Sequence, residues 1–168
     1  SVLEDMLSLT PDKPYILKPH PPYDHFGAKM EKNEACERLG IKPDKKNLLF
    51  FGLIRDYKGL DLLIEAMGHL DDSYRVIIAG ESYGSFDKYR DQIANLVAKN
   101  HSLAERIVIF NRYIDDYEVP AFFSAADLCV LPYKSATQSG ITAISLHFEI
   151  PVVATRTGGL EESIEEPG

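Results

Sequence analysis

Apolar residues along this chain follow two alternating rhythms. Short, nearly unbroken apolar runs give way to longer stretches where apolar positions return every three or four residues, the spacing of one helix face. The runs are Asn47 to Phe51, Arg75 to Ala79, Arg106 to Phe110, Asp127 to Leu131 and Pro151 to Ala154, each of strand length. Such runs suit strands of a parallel sheet that is covered on both faces. Helices are predicted after them, from about Gly59 to Leu70, Phe86 to Lys99, Asp116 to Ser124 and Ile141 to Phe148. In the first of these, Leu63, Met67 and Leu70 share a face, with Leu60 and Ile64 beside them. A shorter helix, Lys32 to Leu39, is closed by Gly40, and a polar turn from Lys42 to Lys46 leads into the first strand.

Strands separated by helices of this length imply right-handed βαβ crossovers. The expected fold class is therefore α/β, a Rossmann-like doubly wound parallel sheet. In such sheets ligands sit beyond the carboxyl ends of the strands, near the point where strand order reverses. The segment Thr10 to Gly27, with its KPHPPYDHFG run, is too rich in proline for regular helix and reads as an extended connector. Residues 1–27 are thus expected to be an interdomain connector with a remnant of a preceding domain, and residues 28–168 the α/β domain. The chain opens on SVLEDMLSL without an initiator Met and stops at Glu165, Glu166, Pro167 and Gly168, directly after a strand and a helix start. It is expected to be an excised domain, truncated at its C-terminus.

Composition narrows the functions available. With 168 residues, 45% of them hydrophobic and 26% charged, the chain is long enough for one good core. A net charge of −8 and a pI near 5.1 argue against a nucleic-acid or anionic-membrane surface, which needs clustered Lys and Arg. Any anion must then be held locally. Cys36 and Cys129 fall in a predicted helix and a predicted buried strand, so they read as core residues rather than a disulfide, which favours a reducing, cytoplasmic compartment. No run approaches the roughly eighteen apolar residues of a membrane span, and no signal peptide opens the chain.

Candidate chemistry gathers in the loops that follow strands. In NLLFFGLIRDYKG, Gly52 ends the first strand, and Arg55 and Lys58 follow before a helix whose first amides turn toward the same crevice. Cations and helix N-terminal amides together can hold a phosphate, although solvated loop charges would read the same way. In LPYKSATQSGI, after the fourth strand, Thr137, Gln138, Ser139 and Gly140 bring hydroxyl, amide and bare backbone donors to a helix N-terminus at Ile141. A capped helix with no ligand is the alternative. If the sheet is doubly wound, both loops meet at one edge, and a diphosphate becomes the shared ligand. After the third strand, Arg112 and Tyr113 are candidates for a nucleobase, or Tyr113 is a packed loop aromatic. Glu81, after Gly80, is a candidate for sugar or ribose hydroxyls, or a solvated carboxylate. The five His residues are scattered and neither Cys stands at metal-ligand spacing from another, so no metal site is expected. A nucleophile elbow, GxGxxG and the Walker signature are all missing, which removes support for acyl hydrolysis, NAD binding and P-loop ATPase chemistry.

The ordered segments FGLIRDYKGLDLLIEAM, RVIIAGE, FNRYIDDYEVPAFFSAADLCVLPY, SATQSGI and PVVATRTGGLEESI resemble the C-terminal, nucleotide-sugar-binding domain of group 1 glycosyltransferases, also called family 4. The likeness runs from about His20 to Glu165, and the HPPYDHFG lead resembles that family's interdomain connector. The resemblance implies one half of a GT-B fold and transfer of a hexose, with retained anomeric configuration, from a nucleotide-diphosphate sugar to a glycan, lipid or other acceptor. It implies no cofactor and no obligatory metal. By that analogy Arg55 and Lys58 neutralise the donor diphosphate and its growing charge, Gly52 admits donor or acceptor, Thr137 to Ile141 cap the phosphates, and Arg112 and Tyr113 lie at the base. The partners implied are the donor and an N-terminal acceptor domain missing from this chain. The full-length protein is expected in the cytoplasm, peripheral at the inner membrane face, with any membrane contact made through that missing domain.

Two departures stand against a complete match. Family members usually carry two glutamates eight positions apart before the PVVAT strand; the corresponding places hold Ala136 and Ile144. The family's arginine directly after the strand glycine is also displaced, because Leu53 stands there and Arg55 comes two residues later. Gln138, Ser139 or Glu149 are the substitutes the sequence offers. Loss of both glutamates favours a second reading, a catalytically silent GT-B-like module that binds a nucleotide or a protein partner. Retention of Arg55 and Lys58 favours the enzyme. A third, a sugar-nucleotide epimerase on the same fold, lacks the acids and histidines those enzymes need.

Overall fold

The computed structural model describes residues 2–16, 24–136, 139–158 and 160. Within them the chain runs α1 (Val2–Leu9), α2 (Lys32–Arg38), β1 (Lys46–Phe51), α3 (Leu60–Met67), β2 (Tyr74–Ala79), α4 (Asp87–Lys99), β3 (Ile107–Phe110), α5 (Val119–Ala125), β4 (Leu128–Leu131), α6 (Gly140–His147) and β5 (Val152–Ala154). All strand pairs are parallel, in the order β3-β2-β1-β4-β5. This is the doubly wound sheet that the alternation of patterns predicts, and its order reverses between β1 and β4.

The near-continuous apolar runs are explained by what covers the sheet. Leu49 and Phe51 of β1, Ile77 and Ala79 of β2, and Cys129 and Leu131 of β4 face α2, α5 and α6, where Phe122, Phe123 and Phe148 fill the layer. The alternate residues Leu48, Phe50, Val76, Ile78, Leu128 and Val130 face α3 and α4, packing on Leu63, Ile64, Met67 and Tyr89. Aromatic rings bind the first layer together, with Phe123 5.0 Å from Phe51 and 5.4 Å from Phe148 between ring centroids. Cys36 and Cys129 are free and buried in the same layer, as the sequence reading expects of core residues.

Buried polar groups fix how strands meet. Asn47, fully buried, donates its side-chain amide to the Ala125 carbonyl, while its backbone N–H donates to Asp127. The pairing of β1 with β4 is thereby set in register. Arg106 was expected to open the third strand; the strand begins one residue later, because its guanidinium turns back to the carbonyls of Tyr74 and Leu70 and to Asp72. The helix expected from Asp116 begins at Val119, since Glu118 accepts the Asp115 amide and holds those residues in a turn. A five-residue 3₁₀ helix, His101–Glu105, was not expected at all; the Asn100 side chain caps it by accepting from the Ser102 amide.

The end of the proline-rich segment is anchored on the domain. Its Asp24–Phe26 stretch forms one 3₁₀ turn rather than extended chain, Phe26 packs on the core, and the Gly27 carbonyl lies 2.8 Å from His147 Nε2 at the end of α6. Among the described residues no helix is long and apolar enough to cross a membrane.

Candidate functional site

The reversal of strand order places the loops after β1 and β4 side by side. Gly52 ends β1 with φ +93°, a left-handed value that glycine adopts without strain. A Cβ there would stand 3.3 Å from Lys58 Nζ and 3.4 Å from Ile141 Cδ1. Gly52, Lys58 and the first turn of α6 therefore converge on one point. Beyond Gly52, Ile54 is buried in the core and pins the loop, leaving Leu53 and Arg55 exposed on either side. A 3₁₀ turn, Asp56–Lys58, carries the chain to Gly59 and α3.

Close backbone contacts lock this loop to its neighbours. Gly59, at φ +68°, lies so near Pro132 that a Cβ would stand 1.9 Å from the Pro132 carbonyl oxygen. The Lys134 amide donates to the Tyr57 carbonyl at 2.7 Å, and Lys134 Nζ pairs with Asp61. On the other side, Ile54 forms an isolated parallel bridge with Ser82, donating to the Glu81 carbonyl and accepting from the Tyr83 amide. Ser82 in turn donates from its amide and hydroxyl to Asn111, after β3. Four strand-end loops thus form one hydrogen-bonded rim.

The helix side of the crevice begins at Ser139. Ser139 precedes α6 in an extended conformation, its hydroxyl 3.3 Å from the Tyr133 hydroxyl instead of capping the helix. The Ser139 carbonyl accepts from the amide and hydroxyl of Thr142, and among the described residues the amides of Gly140 and Ile141 have no hydrogen-bond partner. Free amides at a helix start are donors for an oxyanion. Thr137 and Gln138, expected to join them, lie outside the described residues.

The cations differ in how their charge is met. Arg112 makes a bidentate pair with Glu118, Lys134 pairs with Asp61 and Lys88 with Asp56. Arg55 and Lys58 have no carboxylate within ion-pair distance among the described residues. Instead the Arg55 guanidinium lies over the Tyr83 ring at 4.6 Å and Lys58 Nζ over the Tyr133 ring at 5.6 Å. Burial, and then the charge of Arg55, pull the Lys58 ammonium below the usual lysine value. Burial pushes the Tyr133 phenol up to about 12, against a smaller opposing effect of its hydrogen bond with Ser139. Tyr133 is thus neutral, buried beneath the lysine and bonded to the residue that starts α6.

Of the residues singled out from sequence, Gly52, Lys58, Ser139, Gly140 and Ile141 come together, and Arg55 flanks them on the rim. Glu81 contributes its carbonyl to the rim and keeps an exposed carboxylate. Tyr113 is 62% exposed, a free aromatic rather than a packed one. Arg112, expected to face a base, is spent on Glu118 and on the Tyr113 carbonyl. Tyr83 and Tyr133 were missed. Both stand in loops directly after predicted strands, which was the available signal. Where two family glutamates would stand, Ala136 is half-buried and Ile144 is part of the core.

Comparison with known proteins gives a consistent result. The sequence model described as "Glycosyl transferases group 1" matches residues 45–168. Over 143 residues the chain is 31% identical to the lipopolysaccharide core biosynthesis mannosyltransferase LpsB of Rhizobium meliloti, covering 83% of this chain and 39% of that protein. The chain therefore spans about two-fifths of that relative's length. Among solved structures, the C-terminal domain of the group 1 family glycosyl transferase LpcC from Francisella tularensis superposes with TM-score 0.70 at 21% identity, covering 88% of this chain and 76% of that one. The Anabaena protein HepE in complex with UDP-glucose superposes with TM-score 0.69 at 19% identity, covering 80% of this chain and 36% of that one.

Proposed function

Because this chain belongs to the group 1 glycosyl transferases and is a glycosyltransferase domain of Rossmann-like, GT-B type, we propose that its crevice between β1 and β4 binds the diphosphate of a nucleotide-sugar donor. One observation carries the reading. Lys58 and the first turn of α6 meet over Gly52, at the point where strand order reverses, and Arg55 flanks them on the rim; neither cation has a carboxylate partner among the described residues. An anion bearing two phosphates matches that arrangement in charge.

In the full-length protein the domain transfers a hexose to a glycan, lipid or other acceptor held by a further domain, with retention of configuration. As the glycosidic bond breaks, negative charge grows on the departing diphosphate. Lys58 and Arg55 stabilise that charge from fixed positions, and the amides of Gly140 and Ile141 add donors at the positive end of α6. The chain's own cations meet the charge, and no metal is assigned a role. We place the protein in the cytoplasm, at the inner membrane face when full length.

A specific feature favours a second reading, a nucleotide-binding module without transferase activity. Ala136 and Ile144 supply no carboxylate for ribose or sugar. Calorimetric titration of the chain with UDP, GDP, UDP-glucose and GDP-mannose tests the first claim. Binding of at least one nucleotide, weakened about tenfold or more by Arg55→Ala or Lys58→Ala, is expected. Affinity unchanged in both variants would sink the diphosphate assignment. Turnover by the full-length enzyme then separates transferase from silent module.

A further inference from the structure

Around the crevice, carboxylates neutralise every described cation that has an ion-pair partner: Arg112 by Glu118, Lys134 by Asp61, Lys88 by Asp56. Lys88 also lies over a ring, that of Tyr89 at 4.6 Å, but Arg55 and Lys58 have a ring face with no carboxylate within ion-pair distance among the described residues. Each lies on the face of a tyrosine, Tyr83 and Tyr133, at 4.6 and 5.6 Å from the ring centroid. A π face attracts a cation through its quadrupole without cancelling the charge, whereas a carboxylate would compete directly with an incoming phosphate.

The tyrosines are themselves fixed. Tyr133 is buried, with Tyr57 edge-on to its ring at 6.2 Å and Ser139 at its hydroxyl. Tyr83 is 77% exposed, so packing does not explain its place. Its backbone is nevertheless tied to the Arg55 loop, since its amide donates to the Ile54 carbonyl at 3.1 Å. That bond sets Tyr83 one residue away from the arginine it carries, across the Ile54 and Ser82 bridge.

We infer that Tyr83 and Tyr133 are positioning residues, aromatic seats that aim Arg55 and Lys58 at the donor diphosphate while leaving both charges uncompensated. The inference rests on the diphosphate reading above and adds to it how the cations are preorganised.

Tyr83 offers the clean test, because removing an exposed ring does not disturb the core. Titration with UDP and GDP is compared for the wild-type chain, Tyr83→Leu, Tyr83→Phe, Arg55→Ala and the Tyr83→Leu/Arg55→Ala double variant. Tyr83→Leu is expected to weaken binding about 2- to 5-fold, the scale of an exposed cation–π contact, and Tyr83→Phe to restore it. The loss should vanish in the Arg55→Ala background. An equal loss in that background, no loss in Tyr83→Leu, or no rescue by Phe overturns the seat. For Tyr133, the Phe variant retains the ring and is expected to keep the Lys58→Ala effect at full size; disappearance of that effect overturns its role. A wild-type chain that binds neither nucleotide rejects the diphosphate reading as well, which a seat failure alone does not.

Discussion

Burying Lys58 beside Arg55 disfavours its charged form, so the unliganded domain carries strain that an anion would relieve. The sign follows from linkage. With the folded value below the ordinary 10.5, the unfolded chain holds more protons between the two values, and stability rises with pH across that window. Below it, the penalty is fully present. Lys58→Met keeps most of the stem and removes the charge, so it is expected to raise the melting temperature of the unliganded chain at neutral pH while weakening nucleotide binding. Scanning calorimetry at neutral and alkaline pH checks this; a lower melting temperature at neutral pH refutes it. Donor affinity should also fall with rising pH before 10.5 is reached, as the ammonium loses its proton. The lysine itself was legible in the sequence from its place after a strand glycine. Its seat was not, because Tyr133 approaches only through the pairing of β1 with β4, and no local pattern encodes that distance.

Among elements, strands were read within a residue of their observed bounds, because most of their side chains answer to burial on one face or the other, with Ile109 and Val153 of the edge strands β3 and β5 exposed. Helix starts were read as closely, except that of α5, which begins three residues later than expected. Val119 begins its helix where a side-chain hydrogen bond from the Asp115 amide to Glu118 holds the preceding residues in a turn, and such bonds leave no periodicity. A tight joint lies between elements rather than within one. Gly59 combines a left-handed backbone with a carbonyl where its side chain would be, so Gly59→Ala must open the loop after β1 from the loop after β4. Stability is expected to drop by about 1–3 kcal/mol, with nucleotide affinity falling further than Arg55→Ala alone would cause. Urea denaturation and UDP titration of the same preparation measure both; unchanged values would show that the joint is not needed.

As a whole, the chain covers 39% of LpsB, and the acceptor is expected to be held by sequence beyond that span. The isolated chain should therefore bind donor weakly and transfer no sugar to any acceptor. Measurable glycosyl transfer by the chain alone, followed with radiolabelled donor, would overturn that expectation. The strand order also carries a kinetic consequence. Neighbours in the sheet such as Leu48 and Leu128 are 80 residues apart, and β2, β3 and their helices must find places in the interval. Closing so long a loop costs more entropy than docking β2 on β1, so the two halves of the crevice are expected to meet after β1 and β2 have paired. A nascent chain still emerging from the ribosome would present Arg55 and Lys58 without α6, and nucleotide capture would begin only once β4 had docked.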